Sequence, residues 1–367
     1  MTRPATVALI EGDGIGVDVA RAAMRAADAA LAAAGAPALD VTRIEAGAGC
    51  FQRTGQDIEP GGEERAGEAD AIFLGAIGLP SVRAPDGTEI SPHLRLRDRY
   101  GLYAGVRPVR AYPNVPQRLA DPRAAGIDLV ILRESTEGLF WSAAVHGRSD
   151  VRGDEEVRDT LRITRATTEK LHAFAFDLAR KRAARGRGGR VTCVDKANVF
   201  ASMAFFRRIF DEVAAKNADV EAGYNYVDAQ ALDLVRRPWD FDVLVMENMF
   251  GDILSDLAGG LVGGMGMAAC AEIGDATGLF QPAHGSAPDI MGQDRANPLA
   301  AILSAGLMLD YLAAKRSAPV FTDAAARLDR AIEEGFSANA LRPMEFGGDM
   351  GTEAVTAAVV ARIGGGR

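Results

Sequence analysis

An α/β fold built on a largely parallel or mixed sheet follows from two features of the amino-acid sequence. Short β-branched, apolar runs alternate with longer segments of helical periodicity, the pattern of strands covered by helices. The composition agrees, because 48% of residues are hydrophobic and 25% charged, as in soluble proteins with a large core. At 367 residues the chain exceeds a typical single domain, so two domains or one large interleaved unit are expected.

The first strand is predicted at residues 6–10, after which Gly12, Asp13, Gly14 and Gly16 turn the chain into an alanine-rich helix ending near Gly35. Further strands are expected at roughly 69–75, 127–133, 191–194 and 241–246, with helices at roughly 167–182, 203–216 and 228–236. Beyond His284 the chain reads as mostly helical. Pro298 suits a helix start, and Thr322 and Thr352 suit N-caps. The glycine turn gives GxGxG, but Val17 and the lack of an acidic residue about 20 positions on break the dinucleotide-binding fingerprint. A Rossmann fold is therefore not expected.

The net charge of −9 argues against general affinity for nucleic acid or acidic membranes and leaves small anions as the expected partners. The basic stretch from Lys181 to Arg190 has no aromatic residues for base stacking and reads as a solvated helix end with its loop. Cys50, Cys193 and Cys270 form no CxxC pair or Cys/His cluster, so disulfides and structural zinc are not expected and a reducing cytoplasm fits. The N-terminus carries no leader pattern, and the glycine-rich run at 258–271 is too short for the roughly 20 residues of a membrane helix.

The segment FDVLVMENMFGDILSD, residues 241–256, runs from an apolar strand into a polar turn. Asp252 and Asp256 stand four apart at the start of a helix, face the same way and can grip one divalent cation. Acidic residues favouring the positive end of a helix dipole give the same pattern. Four further strings accompany them: RESTEG at 133–138, DKAN at 195–198, YVDA at 226–229 and HGSAPDI at 284–290. In this order the strings resemble those of the metal-dependent isocitrate/isopropylmalate dehydrogenase family. The resemblance implies an isopropylmalate dehydrogenase-like fold with a first domain at about 1–103 plus 263–367 and a second at about 104–262. The active site would lie between them. It also implies a homodimer clasped by a β-arm at about 141–159, each subunit lending residues to its partner's site.

Individual roles follow from the same resemblance. Arg97, Arg107 and Arg133 match the arginines that hold substrate carboxylates, a task suited to the guanidinium fork; Arg95 and Arg99 read as surface charges. Asp252 and Asp256 resemble the metal ligands of one subunit and Asp228 that of the other, an oxygen set for Mg²⁺ or Mn²⁺. Lys196 resembles the base that takes the C2 hydroxyl proton, with a salt bridge to Asp195 as its structural alternative. The loop of His284, Gly285, Ser286, Ala287 and Asp289, with Asn297, resembles the family's adenosine-binding loop. A carboxylate at Asp289 would bond the ribose hydroxyls and repel a 2′-phosphate, so the implied cofactor is NAD. Ser91 and His93 precede Arg97, where the C3 group of the substrate is expected. Ser91 fits the isocitrate pattern, but His93 replaces its asparagine, and the apolar wall of the isopropylmalate enzymes is incomplete. His93 reads either as a polar or cationic substrate contact or as a solvated loop residue.

One position departs from the family. The tyrosine that protonates the enol carbon after CO₂ leaves is Phe140 here, and phenylalanine has no proton to give. Oxidation then stops at the oxaloacetate-type intermediate, another donor substitutes through water, or the chain is a weakly active or regulatory paralogue. The expected activity is NAD-dependent oxidation at C2 of a malate-type β-hydroxy diacid with metal-assisted β-decarboxylation. A true 3-isopropylmalate dehydrogenase is the alternative.

Overall fold

The computed structural model describes residues 3–142 and 149–365. Its strands are β1 (Thr6–Gly12), β2 (Asp40–Arg43), β3 (Ala71–Ala76), β4 (Ala104–Arg110), β5 (Asp128–Glu134), β6 (Asp150–Arg152), β7 (Glu156–Arg158), β8 (Arg190–Asp195), β9 (Glu221–Tyr226), β10 (Val243–Met246), β11 (Ala269–Ile273) and β12 (Gly278–Pro282). The helices are α1 (Gly16–Ala34), α2 (Ala48–Thr54), α3 (Gly62–Glu68), α4 (Pro92–Arg99), α5 (Arg165–Ala184), α6 (Ala201–Ala214), α7 (Val227–Arg236), α8 (Asn248–Leu261), α9 (Leu299–Lys315), α10 (Val320–Ser337) and α11 (Thr352–Gly365).

Ten strands form one mixed sheet in the order β2-β1-β3-β12-β11-β4-β5-β10-β8-β9. The block β2-β1-β3-β12 is parallel, and so is the block β5-β10-β8-β9. Between them, β11 and β4 pair antiparallel with each other and with their outer neighbours. The two blocks therefore run in opposite directions and meet at an antiparallel centre. The first block and β11 come from the two ends of the chain, the second from its middle.

One register row crosses all ten strands: Thr42, Ala8, Ile72, Leu279, Glu272, Gly105, Arg133, Met246, Val194 and Asn225. Paired residues present their side chains to the same face. On that face Leu96 of α4 packs with Ile72 and Leu279, while Leu254 and Ala258 of α8 pack with Leu244 and Met246. Apart from Thr42 and Asn225 on the two edge strands, the row is apolar under each cluster and breaks only where the clusters part, at Glu272, Gly105 and Arg133. The opposite face holds one continuous core under α1, α5, α6, α9, α10 and α11.

The glycine turn after β1 has a structural reason. A Cβ on Gly12 would lie 1.8 Å from the Ala76 carbonyl oxygen, and one on Gly14 would lie 2.0 Å from that of Ser286. The buried Asp13 carboxylate accepts from the backbone N–H groups of Ala48, Gly49 and Gly78 at 2.8–2.9 Å, stitching the start of α2 and the segment after β3 to the turn. No dinucleotide fingerprint is needed to explain it.

Two predicted caps are corrected. Helix α10 begins at Val320 after Pro319, so Thr322 lies inside the first turn. Thr352 opens α11, but its hydroxyl donates to the Ala296 carbonyl at 2.7 Å, fastening the helix to a loop. The basic stretch is neutralised internally: Arg182 pairs with Asp128 and Asp242, Arg187 with Asp128, Arg185 with Asp310 and Arg190 with Glu221. Residues 143–148 of the expected arm lie outside the described residues; β6 and β7 form a two-stranded hairpin beside them. Among the described residues no helix is long and apolar enough to cross a membrane.

Gly105 sits where the central row is tightest. Its substitution by alanine would set a Cβ 2.5 Å from the Ser135 hydroxyl and 2.9 Å from the Glu272 carboxylate. We expect Gly105→Ala to destabilise the fold by about 1–3 kcal/mol, read as a lower urea midpoint at an unchanged slope.

Candidate active site

Three arginines from three elements converge over the central strands. Arg97 comes from the last turn of α4, Arg107 from β4 and Arg133 from the end of β5, and all are buried. Glu272 on β11 is fully buried between them, its Oε1 3.1 Å from an Arg97 nitrogen and 3.3 Å from an Arg107 nitrogen. Burial pushes this carboxyl up, but the charges of Arg97, Arg107 and Arg133 outweigh it and hold it below the ordinary glutamate range. The Arg97 and Arg107 Nε atoms remain buried without partners, leaving donors free for a bound anion.

Arg133 is fixed by α8. Its Nε and Nη2 donate to the Asn248 side-chain oxygen at 3.0 and 2.6 Å, and Nη1 meets the Asp252 carboxylate. Gly251 makes this approach possible, since a Cβ there would lie 2.6 Å from the Arg133 side chain. The guanidinium also stacks on Phe140, 5.0 Å from the ring centroid. Phe140 thus contacts the cluster through its ring face.

Glu247 caps α8, its Oε1 accepting from Phe250 N at 2.8 Å. One turn further, Asp252 and Asp256 share a face. Burial and then the Asp252 charge push the Asp256 carboxyl up, with Arg107 and Arg133 opposing. Paired carboxylates of this kind suit a divalent cation, which would relieve their repulsion. Asp228 does not join them within one chain: it begins α7 and accepts from Lys196 Nζ at 2.5 Å. Among the described residues no three His, Cys, Asp or Glu converge as a metal site. The alternative pairing of Lys196 with Asp195 is not made, because Asp195 is taken by Arg207 at 2.7 and 2.8 Å.

The loop after β12 is seated on the glycine turn. Ile15 N donates to the Ser286 carbonyl at 2.7 Å, and the Ser286 hydroxyl donates to the Gly78 carbonyl. His284 and Asn297 line a cavity of about 310 Å³ with Ile15, Ile290 and Met344. Burial pushes His284 below its usual range, and its Nε2 is buried without a partner. The Asn297 amide donates to Glu345 at 2.8 Å. Gly285 and Asp289 are exposed on this loop, with Ala287 between them at φ +33°. A mostly apolar cavity with one orphaned imidazole nitrogen fits an aromatic base.

Ser91 and His93 part company. Ser91 lines a different cavity, about 520 Å³, with Asp57, Thr88 and Arg95. His93 occupies the first turn of α4 on the face of Arg97, and its Nδ1 is buried without a partner. Burial first, then Arg97, push it down to about 3, with Arg133 adding and Glu272 opposing. His93 thus lies in a helix and not in a loop, partly exposed as a whole, and burial of its ring disfavours the cationic form. Arg95 and Arg99 do pair at the surface, with Asp57, Glu63 and Glu64. Sequence reasoning missed Glu272 and Asn248, although a lone glutamate in the apolar string ACAEI was a visible signal.

A family model described as isocitrate/isopropylmalate dehydrogenase matches residues 6–361. The chain is 39% identical over 359 residues to the 3-isopropylmalate/3-methylmalate dehydrogenase of Methanocaldococcus jannaschii, covering 97% of this chain and 98% of that protein. It is 38% identical to the 3-isopropylmalate dehydrogenase of Salinibacter ruber over 91% and 89% of the two chains. Among solved structures, isocitrate dehydrogenase from Methylococcus capsulatus superposes with a TM-score of 0.83 at 32% identity, over 98% and 99% of the chains. A β-decarboxylating dehydrogenase from Thermococcus kodakarensis gives 0.78 at 35% identity, over 98% and 96%.

Glu272→Gln removes the carboxylate on which Arg97 and Arg107 depend. Breaking a buried ion cluster on one side should destabilise by roughly 3–5 kcal/mol at neutral pH. Because the folded carboxyl lies below its unfolded value, its contribution is complete above the ordinary glutamate range and is lost as pH falls through the folded value. The gap between wild type and variant in urea denaturation is therefore expected to narrow on acidification.

Proposed function

The chain belongs to the isocitrate/isopropylmalate dehydrogenase family, and on that premise we propose that it oxidises a malate-type β-hydroxy diacid at C2 with NAD and Mg²⁺ or Mn²⁺, followed by β-decarboxylation. The observation that carries this reading is the arrangement over the central strands: three buried guanidiniums beside two carboxylates, Asp252 and Asp256, one turn apart on α8, the second pushed up by burial and then by the charge of the first. Bound to Asp252 and Asp256, a divalent ion would polarise the C2 oxygen, while NAD, held by the His284–Asp289 loop and Asn297, would accept the hydride.

The protein side chains do the rest. Arg97, Arg107 and Arg133 hold the substrate carboxylates, and their burial excludes water from those contacts. Lys196 accepts the hydroxyl proton, and Asp228, bonded to it, steadies the ammonium that results. In this reading the Lys196–Asp228 pair serves the partner's site in a homodimer. Support comes from apolar side chains left exposed on the surface: Leu232 and Val235 on α7, Ile253 on α8, and the cross-strand pair Val151 and Val157 on the hairpin. The domains proposed are 1–103 plus 263–367 and 104–262, separated near the antiparallel centre of the sheet.

Phe140 cannot protonate the enol carbon, so that proton must come from water or another group. A second reading, 3-isopropylmalate dehydrogenation, is favoured by the names of the relatives at 38–39% identity. NADH formation over a panel of 2-hydroxy diacids with Mn²⁺ tests the first step. EDTA should abolish turnover, and Phe140→Tyr should raise the CO₂ released per NADH. One CO₂ per NADH at high turnover in the wild type would refute the argument from Phe140.

The dimer is tested separately. Val151→Asp with Val157→Asp should shift the protein toward monomer in light scattering and lower turnover at least about tenfold, since each site would lose its borrowed lysine. A monomer of unchanged activity would refute shared sites.

A further inference from the structure

Lys196 stands directly after a charge that could disarm it. Asp195 ends β8 and is fully buried. Its Oδ1 accepts from Ala197 N at 2.8 Å, and the N–H groups of Val199 and Phe200 donate to the Lys196 carbonyl at 3.0 and 3.1 Å, so the backbone on both sides of Lys196 is held. The carboxylate itself is met by Arg207 of α6, whose Nη2 donates to Oδ1 at 2.8 Å and whose Nε donates to Oδ2 at 2.7 Å. The Cys193 thiol adds a weak contact, 3.7 Å from Oδ2. A planar guanidinium covers both carboxylate oxygens at once, whereas an ammonium acts as a point charge.

The two cations share one aromatic ring. The Tyr226 centroid lies 5.1 Å from the central guanidinium carbon of Arg207 and 5.8 Å from Lys196 Nζ, and Tyr224 covers Arg207 at 4.8 Å. Little more than that ring separates Lys196 from the group that neutralises Asp195. Without Arg207 the buried carboxylate would be left uncompensated, a strongly unfavourable state, and the ammonium on the next residue of the chain would be drawn to it. Lys196 would then leave Asp228, to which it now donates at 2.5 Å, and could not reach a substrate hydroxyl. We infer that Arg207 is a positioning residue for the proton-removal step: by occupying both oxygens of Asp195 it leaves Lys196 to Asp228 and to the substrate. This rests on the role proposed above for Lys196.

The experiment measures kcat and KM, with NAD and Mn²⁺, for whichever of malate, tartrate, 3-isopropylmalate and isocitrate the wild type oxidises fastest. Arg207→Gln should lower kcat at least about tenfold while KM changes less than about threefold, since the arginines that hold the substrate are untouched. Asp195→Asn keeps an acceptor for Ala197 N and removes the charge that would capture Lys196, so its kcat should stay within about threefold of wild type. Combined with Arg207→Gln, it should bring kcat back to within about threefold of wild type, a non-additive recovery. If Arg207 did no more than fasten α6 to β8, the double variant would be no better than Arg207→Gln. Should Arg207→Gln fail to fold, Arg207→Lys takes its place: an ammonium leaves one oxygen open, so kcat should fall at least about threefold and recover when Asp195→Asn is added. An unchanged kcat in the Arg207 variant, or no recovery in the double variant, would overturn the inference and leave the oxidation reading intact. No NADH from any of the four acids in the wild type would remove the reading and the inference together.

Discussion

A fully buried carboxylate holds the centre of this molecule. Glu272 lies on β11, Arg107 on β4 and Arg97 on α4, so one ion cluster ties together the antiparallel strands where two oppositely directed parallel blocks meet. Taking such charges out of water is unfavourable by several kcal/mol per ion unless geometry and partners compensate. The register supplies that geometry. Glu272, Gly105 and Arg133 are directly paired across three strands, and the absent side chain at Gly105 opens the space in which the charged groups sit.

The same constraint explains where helices can cover this face. Apolar clusters lie under α4 on one side and α8 on the other, and neither extends across the polar centre. The polar strip between them forms a floor in which Glu272, Arg107 and Arg133 are themselves buried. Its rims are then defined by the two helices: α4 contributes Arg97 and His93, and α8 contributes Asn248, Asp252 and Asp256. Arg133 links floor to rim through Asn248 and Asp252. Binding chemistry is thus concentrated at the line where the hydrophobic core is interrupted, and the sheet order decides where that line falls.

Much of this was legible in the sequence, and the illegible parts have physical causes. Strands β1, β3, β5, β8 and β10 are buried apolar runs that periodicity finds, and each lies within two residues or so of its expected place. The others carry no such signal. β9 is an edge strand, EAGYNY, mostly exposed, and β2 has four residues. β4 bears Arg107, Pro108 and Arg110, which mask its strand character. β11 and β12 are short and carry Glu272 and Gln281 where apolar residues would be expected. The arginines were found because their strings have a family likeness, whereas Glu272 belongs to none of those strings.

The separation of acidic groups in one chain bears on how such a site works. Asp252 and Asp256 lie on α8, Asp252 against Arg133, while Asp228 on α7 is bonded to Lys196. A carboxylate pair alone can hold a hard cation that keeps several waters, so metal binding on this surface does not require the third acid. Proton removal is different, because a base must reach the substrate hydroxyl to within hydrogen-bonding distance. On the proposed reading, binding is then a property of the single chain and turnover a property of the assembled pair. The exposed apolar residues of α7, α8 and the β6–β7 hairpin would connect the two, because the surface that buries them is also the one that would carry Lys196 to its partner's cleft.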